Sequence, residues 1–295
     1  SSFIDLATNF LHVDSQKIQV HPEDVINEYE KMIWSHDTPP DGAMMSSWHT
    51  YKLVSEHGVK ISIDGQGADE QLAGYDNYLI SYLIHLNWSN FIKEYRSIKA
   101  KFSDYKQILN LSFFLKILKS FGLLRLVSYL LKKNGSHFDP SKSLRSMRIQ
   151  TFQQNLSNLL FYGDRQSMAW SVESRLPFMD YRLVDFLNST PEEFKIKHGW
   201  GKWLARKAFE NELPDEIVWR ENKMGWEVPE EKWFTGPLLN WSEEQVSNSS
   251  FLKHIKNNRK IRLSRGSSLK PKLRELNLAI WHEIFFKRPF ADHPK

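Results

Sequence analysis

Val59-Lys-Ile-Ser-Ile-Asp-Gly-Gln-Gly-Ala-Asp-Glu-Gln-Leu-Ala-Gly-Tyr75 reads as a strand, a glycine turn and a helix start in immediate succession. Val59, Ile61 and Ile63 alternate with Lys60 and Ser62, the period of a strand. Gly65 and Gly67 flank Gln66, so the backbone there can take positive φ and a ligand can come close to it. Ala68 to Ala73 is good helix-forming sequence, with Asp69 and Glu70 in the first turn, where the helix dipole favours acids. A strand, a glycine turn and a helix start together leave backbone N–H groups pointing into the turn, which makes a cradle for phosphate. Asp69 and Glu70 would then face phosphate oxygens, an arrangement that needs a hard cation such as Mg²⁺ in between. The same residues also suit an ordinary strand-to-helix connection with an acidic helix start. A single Gly-x-Gly does not separate the two readings.

Composition narrows the class. A chain of 295 residues can bury a substantial core. Its 41% hydrophobic and 25% charged residues are ordinary for a globular protein. The absence of cysteine rules out disulfides, thiolate metal sites and a cysteine nucleophile, and agrees with a reducing cytoplasm. No run approaches the roughly 18 uninterrupted apolar residues of a membrane span. The chain opens on Ser1, with nothing that reads as a signal peptide, so the expectation is a start inside a longer protein. The formal charge of +5 is modest, and no motif points to nucleic acid.

Outward from the opening stretch, Ser1 to Leu11 has helical spacing of Phe3, Ile4, Ala7, Phe10 and Leu11. Lys17 to Val20 is a short strand candidate. His21-Pro-Glu-Asp24 is a good helix entry, with Val25 to Ser35 following as helix. Asp37 to Gly42 breaks regular structure, and Met44 to Glu56 returns to helix. Helices and strands in this order suggest a parallel sheet, with ligands at the carboxyl ends of its strands, where Asp64 to Gly67 fall.

From Tyr78 onward the pattern is helix after helix, with no clear strand before about residue 190. Residues 104–133 are apolar and basic. One reading is a core-facing helix pair broken near Gly122, its lysines reaching the surface. The other is a basic amphipathic element that makes weak contact with an anionic membrane surface or a partner helix. Asn134 to Ser143 reads as a loop, and Trp241 to Ser268 reads as polar and loop-rich.

The second half also carries Asp164-Arg-Gln-Ser-Met-Ala-Trp-Ser-Val-Glu-Ser-Arg-Leu-Pro-Phe-Met-Asp180. Glu173 and Arg175 are charges among apolar neighbours and would need partners if buried. Pro177 ends any helix, and Asp180 is placed to cap the helix running through Leu187. These residues can be an ion-pair and turn cluster or can touch substrate directly. Gly201 to Phe209 reads as a helix, and Leu213 to Gly225 leads away from it.

Several of these stretches resemble the glutamine-hydrolysing asparagine synthetase family. Asp64-Gly-Gln-Gly-Ala-Asp-Glu-x-x-Ala-Gly-Tyr75 is similar to its Ser-Gly-Glu-Gly-Ala-Asp-Glu-x-x-Gly-Gly-Tyr motif, which lies in the ATP-dependent synthetase domain. The block from Asp164 to Asp180 resembles Asp-Arg-x-Ser-Met-Ala-x-x-x-Glu-x-Arg-x-Pro-Phe-x-Asp. A Lys-x-Leu-x-Arg helix beginning at Lys202, the Leu-Pro-x-x-Ile run from Leu213 and an Arg-x-x-Lys-x-Gly loop from Arg220 also match.

The resemblance implies an α/β fold with an adenine-nucleotide α-hydrolase-like parallel sheet, incomplete on its N-terminal side, and a large mainly helical elaboration. Residues 1–80 would be the α/β portion of the nucleotide site and 81–295 the helical portion of one partial synthetase domain. The implied substrates are ATP, aspartate or another carboxylate, and ammonia from glutamine. The carboxylate attacks the α-phosphate, pyrophosphate leaves, and ammonia displaces AMP to give an amide. By position, Asp69 would be the Mg²⁺ ligand, supported by Glu70. Asp64, Gly65 and Gly67 would form the nucleotide side, Gln66 would sit near the nucleophile, and Lys223 would stabilise charge.

Two departures stand out. The family's Ser-Gly-Gly-x-Asp-Ser pyrophosphate loop does not occur in the sequence, and neither does a cysteine for glutamine hydrolysis. Poor or no turnover by this chain alone is the expectation. Gln66 also replaces a glutamate, and an amide cannot act as a general base near neutral pH. That leaves room for a different acceptor, as in a related amide- or lactam-forming enzyme acting on a cell-surface glycan or lipid-linked group, and for a non-catalytic interaction module.

Overall fold

The computed structural model describes residues 2–102, 104–134, 138–221, 230–257, 269–289 and 292–294. It is a mostly helical α/β protein with a small parallel sheet. In chain order the first elements are α1 (Ser2–Leu11), α2 (Pro22–His36), α3 (Met45–Glu56), β1 (Ile61–Ile63), α4 (Ala68–Leu72), α5 (Asp76–His85) and α6 (Trp88–Lys101). Then come α7 (Lys106–Ser120), α8 (Leu124–Lys133), α9 (Leu144–Thr151), a π-helical turn at Phe152–Leu156, α10 (Ser157–Ala169), β2 (Glu173–Arg175) and α11 (Tyr181–Ser189). The chain continues through α12 (Trp203–Ala208), α13 (Asp215–Val218), α14 (Glu230–Phe234), α15 (Leu239–Asn248), α16 (Ser250–Asn257) and α17 (Leu269–Phe286).

Two compact units are assembled from these elements, each from several chain segments. The first comprises Ser1–Ser15, Ile63–Leu160 and Leu176–Lys223. Its core centres on Tyr78, Leu83, Phe91, Ile98, Leu109 and Met147, with Ile80, Ile84, Leu115 and Leu124 in a smaller cluster. The second comprises Gln16–Ser62, Phe161–Arg175 and Met224–Lys295. There α2 buries Val25, Tyr29, Met32 and Ile33, and α17 buries Leu273, Leu276, Ile280 and Ile284, in both cases at helical spacing. Buried Asn277 is fully satisfied: it accepts from the Tyr29 hydroxyl at 2.6 Å and donates to the Pro40 and Gly42 carbonyls at 2.6 and 3.1 Å. An amide in an apolar core is tolerated only when paired in this way.

Three expectations change. Lys17 to Val20 forms no strand; Lys17 to Gln19 are exposed, and alternation alone does not supply the neighbouring strand that a ladder requires. A strand does exist before residue 190, because Glu173–Arg175 pairs with β1, the Glu173 N–H donating to the Lys60 carbonyl at 2.8 Å. Among the described residues, these two short strands make up the sheet. As far as Asn257, the stretch from Trp241 is helix, in α15 and α16, and 258–268 lie outside the described residues. Glu173 and Arg175 pair with each other at 2.9 Å on the surface, so neither is a buried charge. The Asp180 cap is present: its Oδ1 accepts from the Arg182 N–H at 2.9 Å at the start of α11.

Candidate functional site

After β1 the chain turns through Asp64 to Gly67 and enters α4. Asp64 folds back on the turn, its Oδ1 accepting from the Gln66 N–H at 2.9 Å. This is the local bond that aspartate makes in a turn. Gly65 is exposed, and a Cβ there would meet nothing within 4 Å. Gly67 differs: its φ is +93°, and a Cβ would lie 2.7 Å from the Met179 sulfur. Only glycine fits there.

The two acids of α4 point to different partners. Asp69 forms an ion pair with Lys202, whose Nζ is 2.6 Å from Oδ1. Both side chains stay partly exposed, Lys202 at 37% and Asp69 at 26%. Glu70 is buried and accepts from the Tyr75 hydroxyl at 2.5 Å. Burial, together with that bond to a carboxylate, pushes the Tyr75 phenol well above its ordinary pKa. Glu70 is therefore placed to hold α4, while Asp69 is the acid on the accessible side.

The surroundings fix this arrangement. The Lys202 backbone N–H donates to the Leu72 carbonyl at 3.0 Å, so one residue binds both ends of α4. Arg148, almost fully buried on α9, donates from Nε to the Glu70 carbonyl at 3.1 Å and from Nη1 to Glu192 at 3.0 Å. Gln71 donates its amide to the Phe178 carbonyl. Its buried Oε1 has no hydrogen-bond partner among the described residues, and Gln71 lies beside a cavity of about 330 Å³ that Arg148, Phe152 and Asn188 also line. Close approach is enforced by two further glycines. A Cβ on Gly74 would fall 2.7 Å from both Asp69 Cγ and Lys202 Cε, and one on Gly201 would lie 2.6 Å from the Ala73 carbonyl oxygen.

Of the residues singled out from sequence, Asp64, Gly65, Gln66, Gly67, Asp69 and Glu70 lie together on this one turn and helix. Lys223 lies outside the described residues. The chain leading to it is held by Arg206 of α12, which donates to the carbonyls of Gly201 at 2.9 Å, Arg220 at 3.1 Å and Val218. Sequence reading assigned no role to Lys202 or Arg148. Lys202 opens the Lys-x-Leu-x-Arg match, which was a usable signal; nothing in the sequence marks Arg148.

Among the described residues no three His, Cys, Asp or Glu side chains gather to hold a cation. Mg²⁺ bound to phosphates needs only one or two protein carboxylates, and Asp69 is a part-exposed carboxylate at the mouth of the turn.

The glycine turn lies between a strand and a short acidic helix in a mostly helical α/β chain. Residues 1–283 match the family model described as asparagine synthase, and the chain belongs to that family. Asparagine synthetase [glutamine-hydrolyzing] 1 of Bacillus subtilis (strain 168) is 25% identical over 258 residues, which cover 78% of this chain and 40% of that protein. Asparagine synthetase [glutamine-hydrolyzing] 2 of the same organism is 29% identical over 189 residues, 63% of this chain and 24% of that protein. Amidase chyE of Penicillium rubens is 24% identical over 280 residues, 78% of this chain and 41% of that protein. The chain thus spans well under half the length of these relatives.

Proposed function

We propose that this chain supplies the synthetase part of an ATP-dependent ligase that activates a carboxylate as its adenylate and releases it as an amide. The carrying observation is the Asp64–Gly67 turn, exposed at Gly65, where a Cβ would meet nothing within 4 Å, next to an Asp69 held in place by Lys202. Family membership supports the reaction class, and the reading includes the adenine-nucleotide α-hydrolase-like fold, a cytoplasmic setting and glutamine as the ammonia source.

Within it, Gly65 lets the nucleotide approach the backbone, and Gly67 lets the turn pass close under Met179 so that Gly65 is presented to it. Asp69 would hold Mg²⁺, which when bound offsets negative charge on the phosphates. Lys202 orients the Asp69 carboxylate and adds a positive charge beside it. Lys223, by its place in the family pattern, stabilises charge on the reacting phosphate. Gln66 offers hydrogen bonds to the incoming nitrogen nucleophile but takes no proton from it. That last point favours an acceptor or nucleophile different from the family's usual pair as the second reading.

ATP–pyrophosphate exchange tests the proposal, run on the native-length product of the gene with aspartate and then with a panel of other carboxylates. Exchange that requires one carboxylate and is lost in Asp69→Ala establishes adenylation and names the acceptor. Absence of exchange with every carboxylate, in protein that binds ATP, defeats it.

A further inference from the structure

The helical hairpin α7–α8 has its polarity partly reversed. On the inner side of α7 lie Ser112 and Lys116, both buried. Lys116 donates from Nζ to the carbonyls of Ile84, at 3.3 Å, and Leu86, so its charge serves the carboxyl end of α5 and is not available to solvent. In α8 the buried residues are Leu124 and Ser128. Leu126, Tyr129, Leu130 and Lys133 fall on the opposite stripe at i, i+3, i+4 and i+7 and are all exposed. Between the helices Gly122, at φ +72°, makes a tight turn that leaves Phe121 73% exposed at the tip. Scattered exposed apolar residues are normal, but a helix stripe and an aromatic tip together are not.

The charge carried by the hairpin itself has one sign. From Tyr105 to Asn134 the sequence contains Lys106, Lys116, Lys119, Arg125, Lys132 and Lys133 and no aspartate or glutamate. Lys132 reaches back to Asp139 at 3.1 Å, while Arg125 and Lys133 are exposed beside the apolar stripe. Neither helix is long and apolar enough to cross a membrane. We propose that the α7–α8 hairpin docks on an anionic membrane surface, with Phe121, Leu126, Tyr129 and Leu130 entering the interface and Arg125 and Lys133 meeting phosphate headgroups. An apolar stripe edged by cations matches such a surface in both polarity and charge. A second copy of the same face matches it poorly, because association would bring the cations together.

The test is co-sedimentation of the purified protein with phosphatidylcholine vesicles, with and without phosphatidylglycerol. Binding is expected only with the anionic lipid, and it should weaken steeply as salt is raised. Arg125→Gln with Lys133→Gln, and separately Phe121→Ser with Leu126→Ser, should each weaken it roughly tenfold or more while leaving the circular dichroism spectrum unchanged. No sedimentation with anionic vesicles by folded protein overturns the proposal. So does equal binding to neutral vesicles. A dimer in light scattering that Phe121→Ser converts to monomer also overturns it, since the face would then be an interface between copies.

Discussion

Lys202 holds Asp69 at 2.6 Å through its side chain and the last turn of the same helix, at Leu72, through its backbone N–H at 3.0 Å. One residue from a distant part of the sequence therefore sets both the direction of the acid at the mouth of the glycine turn and the end of the helix that carries it. A double-mutant cycle with Asp69→Asn and Lys202→Met measures the side-chain part. Both groups are partly exposed, so a coupling of about 0.5–1 kcal/mol is expected in urea unfolding. Strict additivity of the two single variants would show that the pair contributes nothing to holding α4.

Space around that pair makes a second prediction. Gly74→Ala and Gly201→Ala should each destabilise the protein by about 1–3 kcal/mol, because the added methyl group meets Asp69 and Lys202 in one case and a backbone carbonyl in the other. Gly65→Ala, with open space around it, should leave the thermal midpoint nearly unchanged. Equal effects at all three positions would contradict the packing described.

Arg206 ties three backbone carbonyls with one planar fork, which a lysine ammonium on a flexible stem cannot reproduce. Arg206→Lys should lower stability by about 2–4 kcal/mol. It should also raise the rate of proteolysis near Val218 and Arg220. Unchanged protease sensitivity there would mean that the fork does not anchor this stretch.

In the second unit, His36 is fully buried and neither ring nitrogen has a hydrogen-bond partner among the described residues. Burial, and then the nearby Arg165 charge, lower its pKa from 6.5 to about 4. Between those values the unfolded chain takes up a proton that the folded chain refuses, so stability is fully present above pH 6.5 and falls as the pH drops toward 4. The slope from this residue approaches about 1.4 kcal/mol per pH unit in mid-window. His36→Phe should flatten the acid side of the stability profile. A profile with the same slope in that variant would remove His36 as its cause.

How much of this could be read from sequence differs by element. The His21-Pro-Glu-Asp24 entry located α2, and one carboxylate before an apolar run located the cap at Asp180. Those signals are local and physical. Glu173–Arg175 is too short for any period to show, and Lys17–Val20 imitates a strand because alternation says nothing about whether a neighbour exists to bond. The glycine turn and its acids were legible as a motif. What holds them was not, since Arg148 lies 78 residues from Glu70 and no local pattern records such a contact.

α4 has five residues, whereas a helix in water needs roughly 12–15 before it persists alone. Its shape is thus lent to it by Arg148, Phe178 and Lys202, residues spread over three other segments. Cut out and grafted elsewhere, residues 59–75 would arrive as a flexible peptide. The recognisable motif is a signature left by the site, and the site itself resides in the framework that bends those residues into place.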